Sequence, residues 1–267
     1  MRRLILLASV FAILPATLQA APSGRLNLGI QVLPGNLPQI ENKVEGVDYQ
    51  FDLASERVYL WAPKPHTGAV PYGLFVYVTT ADDIRAIPPE FESALLAMKL
   101  IFVAPQRIGA GETMARKIGF TTVVALKMRE IVKVDTNRIY VAGFSGAVPL
   151  AAQIAFTHPD VFKGMIGICG AAYIRKVDIV KASRQEDNVI FEINPKSAKD
   201  AKSSVKFVFV TGTKDFRYGN IFDMFQGYVK DGHKAKLIEV PNMAHTMCPA
   251  KTLEEALKYL EDRRPDK

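Results

Sequence analysis

Cysteine is scarce in this sequence, with two residues in 267, and tryptophan occurs once. So few cysteines exclude a disulfide scaffold as the source of stability. Glycine and proline are scattered, and neither low-complexity tracts nor internal repeats appear. There are only four histidines, and neither they nor the cysteines show metal-ligand spacing, so no metal is expected. A phosphate loop with its lysine is missing, as is a dinucleotide fingerprint after a strand, so no cofactor is expected either. No apolar run reaches the about 20 residues that an integral membrane span needs. The formal net charge of +7 is spread along the chain without a basic stripe. That distribution fits a solvated surface and argues against nucleic-acid binding.

What is present suffices for a large core, since 49% of the residues are hydrophobic. The N-terminus stands apart. Arg2 and Arg3 precede an apolar run over residues 4–14, Pro15 breaks it, and small residues lead to Ala20. This is the pattern of a secretory signal peptide over residues 1–20, leaving 21–267 as one domain, periplasmic or secreted. In such a compartment Cys169 and Cys248 are expected to form one disulfide, with two buried free thiols as the alternative.

Residues 22–46 read as an extended lead-in. Alternation over 48–53 and 56–62 suggests an antiparallel hairpin. From Tyr72 the pattern changes to continuous apolar runs at 73–78, 100–104, 138–142, 165–169 and 205–210, with a further strand at 235–240. Such runs suit strands buried on both faces. Helical stretches at 89–98, 112–132, 146–157, 219–230 and 251–262 separate them. Strict alternation implies a mostly parallel sheet with helices on both faces, an α/β class. The charged stretch 171–204 is too long for a simple connection and is expected to be a small inserted cap.

Gly143-Phe144-Ser145-Gly146-Ala147 directly follows an expected strand and precedes an expected helix. A serine raised on so sharp a turn needs small neighbours, which Gly143 and Gly146 supply. The competing reading is a structural turn whose serine caps the helix. A serine hydroxyl needs a base, and the base an orienting acid. His66 precedes the serine, His158 ends its helix, and His233 sits in a helix-ending turn where it should be solvated. Only His245, just past the last strand, falls at the carboxyl edge of the sheet. Asp215 leaves the carboxyl end of strand 205–210 and gives the chain order Ser, Asp, His. Asp223 and Asp231, on the next helix, should face solvent. An oxyanion needs two backbone N–H donors: Gly146, and one from the loop after 73–78, at Thr79, Thr80 or Ala81.

The run from Asn137 to Gly146, together with Pro159-Asp160-Val161-Phe162-Lys163-Gly164, Gly212-Thr213-Lys214-Asp215 and Pro241-Asn242-Met243-Ala244-His245, resembles secreted esterases related to polyhydroxybutyrate depolymerases and feruloyl esterases. The resemblance covers about residues 70 to 262. It implies the α/β-hydrolase fold and a triad of Ser145, Asp215 and His245. Ala147 and Pro149 depart from the family's glycine-rich helix start, and no lipase-like His-Gly-Gly run follows the first central strand. The expected activity is cleavage of a small or oligomeric carboxylic ester through an acyl-enzyme. The alternatives are a non-catalytic binding protein on the same fold, or an envelope protein that docks through 171–204.

Overall fold

The computed structural model describes residues 25–38, 40, 47–63, 71–182 and 189–262. The expected signal peptide, His66 and residues 183–188 of the expected cap lie outside the described residues.

Eight strands form one sheet: β1 (Arg25–Gln31), β2 (Val58–Pro63), β3 (Tyr72–Val78), β4 (Leu100–Pro105), β5 (Val134–Phe144), β6 (Gly164–Ile168), β7 (Lys206–Gly212) and β8 (Lys234–Val240). Their order is β1-β2-β4-β3-β5-β6-β7-β8. β2 runs antiparallel to β1 and β4, while β3 to β8 pair in parallel. Six helices are present among the described residues: α1 (Pro89–Ala97), α2 (Met114–Ile131), α3 (Val148–Thr157), α4 (Pro195–Ser204), α5 (Tyr218–Lys230) and α6 (Ala250–Glu261). The expected parallel sheet between two helical layers is what the chain forms.

The reason lies in the strand sequences. Successive side chains of a strand point to opposite faces. On β3, Leu74, Val76 and Val78 join one core while Phe75 and Tyr77 join the other. β7 does the same with Phe207 and Phe209 against Val208 and Val210. The first core is closed by α2, α3 and α5, through residues such as Val123, Ile154 and Ile221. The second is closed by α1 and α6, through Phe91, Leu253 and Leu257. With apolar demand on both faces, the middle of such a strand is a run of consecutive hydrophobic residues, as over 74–78 and 207–210.

The edge differs from the sequence expectation. There is no hairpin over 48–62. β2 pairs instead with β1, formed from the stretch read as a lead-in. Residues 47–52 belong to no ladder and lead into a turn at 53–55, and Val47, Tyr49, Phe51 and Leu53 are all buried. Their alternation reflects one side of an extended segment laid on α2 and α3. Phe51 packs on Phe120, and the Tyr49 hydroxyl lies 2.6 Å from His158 Nε2.

The described part of 171–204 lies along the flank of α5 and over α3. Tyr173 and Phe191 pack on Phe156, and Arg175 clasps Asp231 with bonds of 2.6 and 2.7 Å. The backbone N–H groups of Val180, Lys181 and Ala182 all donate to the Asp223 carboxylate.

The order of strands sets the functional edge. From β3 the chain moves outward to β4, then crosses back to β5 on the other side of β3. This reversal opens a crevice at the carboxyl ends of β3 and β5, the place where open α/β sheets take ligands.

Candidate active site

Ser145 begins a short 3-10 turn between β5 and α3. Its φ is 52°, in the left-handed region, where a residue with a side chain costs about 1–3 kcal/mol. Close packing holds it there. A Cβ on Gly143 would meet the Ala147 carbonyl oxygen at 2.8 Å, and one on Gly170 would meet the Ser145 carbonyl oxygen at 2.6 Å. Gly167 lies equally tight under Val148. Ala147 is buried, which explains why a small residue suffices there, and Pro149 sits in the first turn of α3, where proline lacks no needed N–H.

The loops that carry Asp215 and His245 are stitched together. The N–H of Thr213 donates to Val240, that of Lys214 to Met243, and that of Asn242 to the Thr213 hydroxyl. Asp215 is thereby set beside His245, with Oδ1 2.8 Å from Nδ1. The same Oδ1 accepts the N–H of Arg217 at 2.9 Å, and Oδ2 accepts the Thr211 hydroxyl at 3.1 Å. Burial pushes this carboxyl up, but the Arg217 N–H, His245 and the nearby Cys169 thiol outweigh it and hold it below the usual carboxylate range. An ionised Asp215 only accepts, so Nδ1 of His245 carries the hydrogen. Nε2 is left to accept from Ser145 Oγ, 2.7 Å away. The structure brings together Ser145, Asp215 and His245 in one hydrogen-bonded line.

The expected oxyanion loop lies beside the serine. Thr80 Cγ2 is 3.4 Å from where a Gly146 Cβ would be. The N–H of Ala81 is taken by the Thr79 hydroxyl at 3.1 Å. This loop is tied to the one after β4: Ala110 N–H donates to Thr80, and Gly109 N–H to Asp82 Oδ1.

Three expectations are corrected. Cys169 and Cys248 are free thiols, both buried. Cys169 has φ 52° and turns its Sγ to the Thr246 carbonyl, 3.2 Å away, rather than to Cys248. Burial pushes the Cys248 thiol up to about 12. His233 is not solvated: it is enclosed by Phe156, Tyr173, Phe207 and Tyr228, and burial lowers its pKa to about 4. Asp223 is fully buried rather than solvent-facing, while Asp231 is half-buried and bonded to Arg175 and Tyr173. Cys169, Asp215 and His245 also bring three donor atoms within 4.8 Å of one another, although they are far apart in sequence.

Two aromatic side chains at the site went unread in the sequence. Phe144 and Phe216 have ring centroids 5.3 and 4.4 Å from that of His245. No periodicity marks Phe216, which belongs to a loop.

No family model matches the chain, and no curated protein matches it. Solved structures do. A fluorophosphonate-binding serine hydrolase of Staphylococcus aureus, FphF, superposes with a TM-score of 0.58 at 12% identity, over 78% of this chain and 93% of that one. A ferulic acid esterase gives 0.55 at 15% identity, over 77% and 91%. An S-formylglutathione hydrolase from Agrobacterium tumefaciens gives 0.53 at 13% identity, over 91% and 97%. The chain therefore has the α/β-hydrolase fold.

Proposed function

We propose that this chain is a serine hydrolase that cleaves a carboxylic ester through an acyl-enzyme on Ser145. The observation that carries the reading is the line from Ser145 Oγ through His245 to Asp215, with bonds of 2.7 and 2.8 Å. His245 Nε2 takes the Ser145 proton as Oγ bonds to the ester carbonyl carbon. The carbonyl oxygen becomes negative and is held by the N–H of Gly146 and that of Thr79 or Thr80. His245 then gives its proton to the leaving alkoxide, the acyl C–O bond breaks, and a water activated by the same imidazole releases the acid. Asp215 stays ionised and holds the imidazole in orientation and tautomer. A chain that only bound ligands would have no use for a serine held at a strained φ beside a base. The names of the structural neighbours, hydrolases and esterases, favour the same chemistry. The N-terminal pattern favours action outside the cytoplasm.

Labelling of the folded protein by a fluorophosphonate, lost in Ser145→Ala, is the expected outcome. Absence of labelling in a folded sample overturns the reading in favour of a binding protein.

A further inference from the structure

The loop after Asp215 presents two side chains that the triad does not use. Phe216 is 75% exposed, yet its ring sits 4.4 Å from the imidazole of His245. It is not a frayed loop tip. Asp215 N–H donates to Gly212, Arg217 N–H to Asp215 Oδ1, and Tyr218 N–H to the Asp215 carbonyl, so the backbone on both sides is fixed. An aromatic surface is thus held in solvent against the general base.

Arg217 adds a charge. Its guanidinium carbon lies 5.6 Å from the centre of the Phe216 ring. Arg116, Arg138 and Arg175 each hold a carboxylate, on Glu56, Glu261 and Asp231. Arg217 makes no ion pair among the described residues, and its Nε is shielded from solvent with no acceptor. Shielding a donor without a partner is unfavourable, and a guanidinium fork is shaped to meet a carboxylate. The two ring distances put the guanidinium no more than about 10 Å from the imidazole, within one screening length at about 0.1 M salt.

The chemistry says which end of a substrate lies here. Nε2 of His245 must reach the leaving oxygen to protonate it, so the leaving alcohol is the part beside the imidazole. The geometry points to a leaving-group subsite made by Phe216 and Arg217, suited to a flat aromatic alcohol that carries a carboxylate. The ring would lie on Phe216 and the carboxylate would meet the guanidinium. This inference rests on the ester-hydrolase reading of the same site.

Two matched esters test it: 4-acetoxybenzoate and its neutral counterpart 4-acetoxybenzamide. With the first, Ser145 Oγ bonds to the acetyl carbon, the acyl C–O bond breaks, the phenolate takes the His245 proton, and water then releases acetate. The expected kcat/KM is at least about tenfold higher for the carboxylate than for the amide, as a charge-assisted contact allows, and the ratio shrinks in high salt. Arg217→Gln, which keeps the backbone N–H on Asp215, should bring that ratio to about one through KM, and Phe216→Ala should weaken both substrates. No preference in the native protein, or one that survives Arg217→Gln, overturns the subsite. Calorimetric binding of 4-hydroxybenzoate against 4-hydroxybenzamide to Ser145→Ala, with and without Arg217→Gln, separates the two readings. Carboxylate-selective binding lost with Arg217 upholds the subsite even in a protein that turns over neither ester. Indifference to the carboxylate in a protein that a fluorophosphonate labels removes the subsite and leaves the hydrolase.

Discussion

Gly212 and Met243 touch backbone to backbone where the segments that carry Asp215 and His245 meet. A Cβ on Gly212 would lie 1.8 Å from the Met243 carbonyl oxygen and 2.4 Å from its carbon. No side-chain rotation relieves that contact, so one loop must move. Both loops are fixed further by the bonds of Thr213, Lys214 and Asn242, and His245 follows Met243 by two residues.

Gly212→Ala should therefore harm activity more than stability. Overpacking costs about 1–3 kcal/mol, a modest fall in Tm. Displacing His245 by about 1 Å from Asp215 or Ser145 should lower kcat/KM on an aryl acetate about 100-fold. Gly111 is the control, because its Cβ would meet nothing within 4 Å. Gly111→Ala should leave both Tm and rate near the native values. Equal rates in the two variants would show that the loops adjust freely.

Asp215→Asn tests the electrostatic part of the line. The amide nearly matches the carboxylate in shape, yet it cannot hold an imidazolium or fix the tautomer as an anion does. The expected loss in kcat is about 10,000-fold at neutral pH, with a near-native circular dichroism spectrum. The folded carboxyl titrates below its usual value of 3.8, so its ionised form stabilises the fold at all pH values above that. The contribution is lost as pH falls through the lowered folded value. Asp215→Asn should accordingly lack that part of the acid sensitivity in denaturation curves taken below pH 4.

His233 gives the fold a second pH dependence, at milder acidity. Burial among four aromatic rings lowers its pKa from 6.5 to about 4. The unfolded chain then binds a proton that the folded one refuses between those values, so stability falls as pH drops through that window. The loss amounts to at most roughly 3 kcal/mol by pH 4. Urea denaturation at pH 7.0 and pH 5.0 measures it. His233→Phe cannot titrate and keeps the aromatic packing, so its midpoint should change less between the two pH values. An identical change in both proteins would place the titrating group elsewhere.

The central strands β3, β4, β6 and β7 could be read from the sequence because they answer to burial on both faces, and that demand writes itself into consecutive apolar residues. That Ser145, Asp215 and His245 would meet was legible for a related reason. Ser145, Asp215 and His245 each stand at the end of a parallel strand, and parallel strands bring their carboxyl ends to one edge. The failures share a cause as well. Alternation at 47–53 records one-sided burial of an extended chain, and it says nothing about whether a ladder partner exists. Asp223 and His233 are buried by the segment around residues 173–182, which folds back on α5 from about 50 residues away in sequence. The requirement for glycine at positions 167, 170 and 212 likewise comes from distant backbone and side chains. Local pattern carries none of this.

The two thiols allow a direct check of the chain's redox state. Cys169 and Cys248 are both fully buried, so the native protein should not react with a thiol reagent such as dithionitrobenzoate. Unfolding in guanidinium without reductant should release two reactive thiols per chain. A disulfide would instead give none, and its reduction would lower stability by about 2–5 kcal/mol. The side chains explain why the bond is not made. The Cys169 sulfur faces the Thr246 carbonyl, one residue past His245, and lies within 4.8 Å of the Asp215 carboxylate. Its hydrogen bond fastens the turn that carries His245. Cys169→Ser keeps a donor and tolerates the positive φ, so most activity should remain. Cys169→Val loses the donor and places a branched side chain at φ 52°, where such residues are true outliers. It should lose both activity and Tm, and a Cys169→Val protein as active as Cys169→Ser would show that the thiol merely fills space behind the triad.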